Sequence, residues 1–357
     1  MAKIKTAVIG LGMGKFHVMG YSKNPEADVV AVADLDASRF PEIEKLIPGV
    51  RTYTDAKALL REVKPDLVSV AVPNFLHEEI TCAALHAGAH VLCEKPMSMN
   101  LDSALRMRNA ASTANRQLFI NFSQRFGGFA RTAKDLVEAG ELGDIYHAYC
   151  QWTRRDGIPR FGGWFGQKDK SGGGPLIDLG VHRLDFVLWL MGHANPTTVS
   201  GMTHARLGTA LAKTEKKSFD VEDFAAGFIR TDKNSSILFE VSWTGFQTGR
   251  DRQQLRVMGE KGTLEAGPGV HGEYTLHLCH NIAGHAFNAT ELHPQQAPSS
   301  YETLISCLQS GEPFPATAED GIRLQIILDA LYASAAQGHE IEVAKFAGPA
   351  MEYLTSR

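Results

Sequence analysis

Thr6-Ala7-Val8-Ile9-Gly10-Leu11-Gly12-Met13-Gly14 decides the fold. The largely apolar run from Thr6 to Ile9 shows no period-2 alternation, which suits a parallel strand buried on both faces. It runs into alternating glycines, and a helix is expected from about Gly14. At such a strand-to-helix turn, glycines let the backbone approach a pyrophosphate, while the helix N-terminus offers amides and a positive dipole end. The spacing departs from Gly-x-Gly-x-x-Gly, because Lys15 holds the third glycine position and Gly14 precedes it. A glycine-rich turn without a ligand reads the same way in isolation. A nucleotide site therefore needs support from the later strands.

Val29 to Ala33 reads as a second buried strand and ends at Asp34, the sequence distance expected for an acid that hydrogen-bonds an adenosine ribose. A carboxylate there repels the 2′-phosphate of NADP. Asp36 adds to that charge and Arg39 pulls the other way, so NAD is preferred and NADP stays open. Gly10, Leu11, Gly12, Met13, Gly14 and Asp34 are the expected cofactor contacts. Further strands run from Asp66 to Val72, from His90 to Cys93 and from Leu118 to Ile120, alternating with helical segments near Glu78–Ala87 and Leu101–Thr113. That alternation predicts an α/β chain with a doubly wound parallel sheet. Ligands in such sheets bind beyond the carboxyl ends of the strands. Pro73, Asn74, Glu94 and Lys95 lie there and are expected to line a nicotinamide. His77 either touches the cofactor or is a helix-start histidine bonded to backbone. Lys95, directly after a strand end, is a candidate general base or donor to a substrate oxygen, although a lysine before Pro96 is also an ordinary turn residue.

After Asn121 the pattern changes. We expect a nucleotide-binding domain over residues 1–122 and, over 123–357, an α+β domain with a large, mostly antiparallel open sheet. From Ile145 onward, period-2 strands and hairpin signals at Asp232-Lys233-Asn234 and Glu260-Lys261-Gly262 recur. One long helix is expected from near Pro175, and a last one over Ala318–Ala336, while Gly267–Ser300 reads as loop or irregular strand. On the first of these helices Ile177, Val181, Leu184, Leu188 and Met191 form an apolar stripe. Asp178 and His182 are four apart and share a face beside it. A capping Asp with a hydrogen-bonded His is the plainer reading; a proton-handling pair is the sharper one. Metal binding gains little support, since His271, His277, His280, His285 and His293 show no better ligand spacing. Arg125, Arg155 and Trp164 belong to segments that mix arginine with aromatic residues, a combination suited to hydroxyls and to the C–H faces of sugar rings.

The 357 residues, 44% hydrophobic, suffice for two cored domains, and a formal charge of −4 gives no general attraction to nucleic acid or anionic membrane. Five widely spaced cysteines without a Cys-x-x-Cys pair suit a reducing cytoplasm. No apolar stretch reaches bilayer-spanning length, and the first residues lack the features of a secretory leader.

At Gly10-Leu11-Gly12-Met13-Gly14, Pro73-Asn74-x-x-His77, Ala87 to Pro96 with its Glu94-Lys95-Pro96, and Gly172-Gly173-Gly174 leading into Asp178-x-Gly-x-His182, the chain resembles the Gfo/Idh/MocA oxidoreductases over nearly its full length. The Glu-Lys-Pro and Asp-x-Gly-x-His elements are specific to that resemblance; the glycine turn is not. The resemblance implies a Rossmann domain followed by an open-sheet domain used in homodimer or homotetramer contacts. It also implies hydride transfer between NAD and a ring hydroxyl of a sugar, sugar derivative or cyclitol. Lys95, Asp178 and His182 would be the catalytic trio: His182 taking the hydroxyl proton, Asp178 orienting or tuning it, and Lys95 binding the reacting oxygen. Which of Lys95 and His182 is the base stays open. Two other functions fit the same residues: a glycosidase working by transient oxidation and elimination, and a non-catalytic sugar or cofactor sensor. Intact Lys95, Asp178 and His182 count against the sensor.

Overall fold

The computed structural model describes residues 3–268, 274–282, 284–286, 290–294 and 296–355. The chain forms two compact units, Met1–Ser123 with Pro298–Ile322 and Gln124–Ala297 with Arg323–Arg357.

In the first unit, strands β1 (Ile4–Ile9), β2 (Ala27–Ala33), β3 (Arg51–Tyr53), β4 (Leu67–Val70), β5 (His90–Glu94) and β6 (Leu118–Asn121) form one sheet in the order β3-β2-β1-β4-β5-β6. Every pairing is parallel. The order reverses direction beside β1, the switch point at which such sheets bind ligands. Ala7, Val8, Val68, Val70 and Leu92 are all fully buried, as strands covered by helices on both faces require. The three-residue β3 was not expected, because it lies on the sheet edge and buries none of its side chains.

The first unit ends within a residue of the expected boundary at 122, but it also takes in a later stretch of chain. Residues 298–322, expected in the second domain, belong to the first unit. Their helix Ser300–Ser310 starts at a capping box, with the Ser299 side chain accepting from the Glu302 amide and Glu302 accepting from the Ser299 amide. Tyr301 then packs edge-on to Tyr21, with ring centroids 5.4 Å apart, over Gly20. Any Cβ at Gly20 would lie 2.2 Å from that ring. The return is closed by the Ile120 amide, which donates to Ala316 O at 3.1 Å.

In the second unit, β7 (Ile145–Arg154), β8 (Pro196–His204), β9 (Phe224–Thr231), β10 (Ser236–Ser242), β11 (Asp251–Gly259), β12 (Gly262–Pro268), β13 (Tyr274–Ile282), β14 (His285–Ala286), β15 (Thr290–Leu292) and β16 (Ile341–Glu342) make one sheet. Its order is β14-β13-β12-β11-β7-β10-β9-β8-β16, with β15 beside β13. The central β7–β10 pair is parallel and the other pairings are antiparallel. Alternate residues Ala225, Ile229, Ile237, Phe239, Val241, Leu255 and Val257 are buried, so one face of the sheet carries the core. The segment expected as loop or irregular strand holds the regular strand β13, paired along its length with β12. His271 lies outside the described residues.

The long helix expected from Pro175 is two different structures. Leu176–Gly180 is a π turn, with the Val181 amide bonded to Leu176 O, five residues back, and Val181–Leu190 continues as α-helix. Asp178 sits in the wide turn and His182 in the α-helix that follows, so the pair spans a change of helical pitch. From Leu176 to Leu190 every residue is buried except Asp178, His182 and Trp189. Among the described residues no helix is long and apolar enough to cross a membrane.

Candidate active site

Gly10 has φ +89°, and a Cβ there would meet Ala71 O at 2.5 Å, so only glycine fits the turn that ends β1. A Cβ on Gly14 would strike the Val8 side chain at 2.7 Å, so this glycine lets the helix Gly14–Ser22 pack against its strand. That is the task of the third glycine in the longer motif, performed here one position early. No side chain caps this helix, and its first turn carries no acid. Its amide end is thereby left to an anionic group.

Asp34 closes the turn from the side. Its Oδ2 accepts from the Leu11 amide at 2.6 Å and from Arg39 Nη1 at 3.1 Å, while Oδ1 accepts from the Asp36 amide at 2.8 Å. Arg39 Nε also lies 3.4 Å from Asp36, so one guanidinium serves two carboxylates and the net charge stays negative. The Ser38 hydroxyl and amide hold Asp36 below its usual pKa.

Glu94 braces the far side of the sheet. Its Oε1 accepts from Asn121 Nδ2 at 2.6 Å and faces His17 Nε2 at 2.8 Å; Oε2 accepts from the Lys95 amide at 3.2 Å. Burial alone would raise its pKa, but His17, Asn121 and Lys95 outweigh burial and hold it below the usual value. Both oxygens of Glu94, expected at the cofactor edge of the sheet, tie the first helix, β6 and the lysine turn together. Of the two readings of His77, the structure shows the helix-start histidine bonded to backbone. It is buried, with Nδ1 2.8 Å from Pro96 O and Nε2 2.9 Å from Val72 O. Burial lowers its pKa against the pull of those carbonyls, and both ring nitrogens are spent on backbone. What His77 does is hold the turn after β4 to the cis Lys95–Pro96 turn after β5. Pro73, Asn74 and Lys95 remain partly open at those strand ends.

In the second unit Trp243, at the end of β10, donates from Nε1 to Asp178 Oδ2 at 2.9 Å. The His182 ring lies 5.9 Å from that of Trp152, which Arg183 and Arg154 approach at 4.9 and 5.1 Å. The start of the π turn is held by buried Glu222, whose Oε1 accepts from the Leu176 amide at 3.0 Å and from the Tyr332 hydroxyl at 2.9 Å. Burial raises the Glu222 pKa against these donors. The glycine run before the turn follows from this packing. A Cβ on Gly173 would meet the Tyr332 hydroxyl at 2.0 Å, and one on Gly174 would meet Glu222 O at 1.9 Å.

Arg125 is not available to a substrate, contrary to expectation. It is buried with Asp185 in a two-bond ion pair, Nε to Oδ2 at 2.9 Å and Nη2 to Oδ1 at 2.5 Å. Arg155 is exposed beside Asp156, and Trp164 stacks on Phe165 at 3.9 Å while staying partly open.

Comparisons with known proteins bear on the family and the fold. Residues 4–122 match the model described as an oxidoreductase family with an NAD-binding Rossmann fold, and residues 130–265 match the GFO/IDH/MocA C-terminal domain. The putative UDP-kanosamine synthase oxidoreductase subunit of Amycolatopsis mediterranei is 35% identical over 73% of this chain and 74% of that protein. The chain belongs to the Gfo/Idh/MocA oxidoreductase family. D-glucoside 3-dehydrogenase of Escherichia coli is another member it resembles, 29% identical over 95% of this chain and 97% of that one. Levoglucosan dehydrogenase, solved in complex with NADH, shares the fold with a TM-score of 0.83 at 20% identity, covering 96% of this chain and 99% of its own.

The first unit of this Gfo/Idh/MocA chain suits NAD: the uncapped helix end after Gly14 for the pyrophosphate, and Asp34 beside it for the ribose. NAD, when bound, supplies the hydride acceptor. Sequence reasoning missed His17, Asn121, Glu222, Tyr332 and Trp243. His17 and Trp243 each look like core residues of an apolar stretch, and their partners lie 77 and 65 positions away.

Proposed function

We propose that the chain oxidises a ring hydroxyl of a sugar, sugar derivative or cyclitol with NAD, using Lys95, Asp178 and His182 as its catalytic side chains. One observation carries the reading. On a helical segment buried almost all round, Asp178 and His182 are among the three residues left partly open, while its other carboxylate, Asp185, is buried against Arg125. His182 takes the hydroxyl proton, Asp178 orients its imidazole, and Lys95 holds the reacting oxygen. Trp164 offers an aromatic face for the C–H side of a ring and Arg155 a fork for hydroxyls. The named activities of the relatives, on a glucoside and on levoglucosan, support a carbohydrate substrate. We further propose a homo-oligomer working in a reducing cytoplasm, where the five free cysteines would stay reduced.

The test is NAD reduction, read by absorbance, across methyl glucosides, free hexoses and myo-inositol, with nitrophenol release from nitrophenyl glucosides followed in parallel. Net NADH with at least one polyol is expected. Nitrophenol release without net NADH would instead establish the redox glycosidase, and cofactor binding without either product would establish a sensor. Lys95→Met should lower turnover by orders of magnitude while NAD still binds. Unchanged turnover in that variant removes the lysine from the mechanism.

A further inference from the structure

We infer that Trp243 is a positioning residue for Asp178, its indole N–H holding one carboxylate oxygen so that Asp178 stays ionised and correctly turned. The inference rests on the proposed role of Asp178. Its basis is geometric. The Nε1–Oδ2 distance is 2.9 Å, and the donor side of the bond is fully buried while Asp178 stays partly open. The backbone that carries the indole is anchored: the Trp243 main-chain amide donates to Asp223 O at 3.0 Å, and the preceding Ser242 hydroxyl donates to the same carbonyl at 3.0 Å. The Phe165 ring meets it edge-on at 6.4 Å, and Phe165 is in turn stacked on Trp164.

The backbone around Asp178 is irregular. Asp178 lies within a π turn, where the hydrogen-bond ladder is widened, and the indole bond fixes one of its carboxylate oxygens there. Both ends of the clamp are anchored through one dipeptide. Glu222 holds the start of the π turn through the Leu176 amide, and the next residue, Asp223, holds Trp243 through its carbonyl. A donor to a charged carboxylate stabilises the ionised form and one orientation of it. Trp243→Phe keeps a ring in the site and removes only the donor together with part of the ring volume.

The experiment has two arms. In protein labelled with 15N-tryptophan, four indole signals are expected, and Trp243→Phe identifies one of them by its loss. Asp178→Asn should shift that signal more than the signals of Trp152, Trp164 and Trp189; a signal that Asp178→Asn leaves in place overturns the inference whatever the substrate proves to be. In the kinetic arm, with the polyol that reduces NAD fastest, Trp243→Phe should lower kcat about ten- to hundredfold. KM for NAD should be unchanged, and the acid limb of the rate profile should move to higher pH. Phe165→Leu, which disturbs the same packing but leaves the donor, should not move that limb. A limb displaced equally by both variants would reduce Trp243 to a packing residue. If Asp178→Asn is inactive while Trp243→Phe behaves as wild type, the positioning role fails and the catalytic role of Asp178 stands. If Asp178→Asn keeps full activity, the underlying reading fails.

Discussion

Asp34 spends its two oxygens on Leu11, Asp36 and Arg39, and so does two jobs at once. It shapes the glycine turn and sets a negative charge beside it, which we propose repels a 2′-phosphate. Asp34→Ala removes that charge and leaves Arg39 turned to Asp36 alone. The ratio of kcat/KM with NADP to that with NAD should then rise by about tenfold or more. Measured initial rates with both cofactors check this, and no gain with NADP would show that Asp34 does not discriminate. Arg125 invites the opposite kind of test. Removing it strands the buried Asp185 carboxylate, so Arg125→Ala should destabilise the fold by about 3–5 kcal/mol while leaving KM for the sugar alone. Urea unfolding and KM together decide: a raised KM with unchanged stability would restore Arg125 to the substrate site.

At the scale of elements, Glu94 joins the first helix, β5 and β6 through a single carboxylate, and this makes its ionisation part of the fold's stability. Its pKa is depressed in the folded state from the carboxyl value of 4.5. The unfolded chain therefore binds the proton more readily, and the stabilisation is fully present above about pH 4.5 and fades as pH falls through the folded value. Glu94→Gln should lose about 1–3 kcal/mol at neutral pH and should show a shallower decline between pH 5 and 3. Melting temperatures across that range test this; parallel curves for both proteins would refute it. The strand ends that frame this carboxylate were legible in the sequence, because buried parallel strands are written as short apolar runs that end at turn residues. The three-residue edge strand β3 and the return of Tyr301 to Gly20 were not. A strand that buries nothing leaves no apolar run, and a contact between residues 20 and 301 leaves no period. The π turn was hidden for another reason: its spacing of apolar residues imitates an α-helix, and the wide turn is set by Glu222 and Trp243 from elsewhere in the chain.

For the molecule as a whole, the second unit's sheet poses the question of what lies on its uncovered face. The side chains opposite the core face include Leu238 and Met202, exposed by 42% and 55%. Strand register sets Leu238 between Tyr149 on β7 and Phe228 on β9, so an apolar row crosses three adjacent strands. Met202 lies opposite Ala226, the residue two before Phe228 on β9, and extends the row onto β8. An antiparallel sheet with one face on water normally alternates to polar residues there, so this row is the face we propose for the homo-oligomer contact. An isologous dimer brings the same row against itself, which needs no complementary partner surface. The double substitution Leu238→Lys and Met202→Lys would then set like charges against each other across the two-fold axis. Light scattering should show the wild-type chain as a dimer or tetramer and the double variant as a smaller species, with NAD affinity preserved because the first unit is untouched. A wild-type protein that scatters as a single chain, or a double variant with the wild-type mass, would exclude this face as the interface.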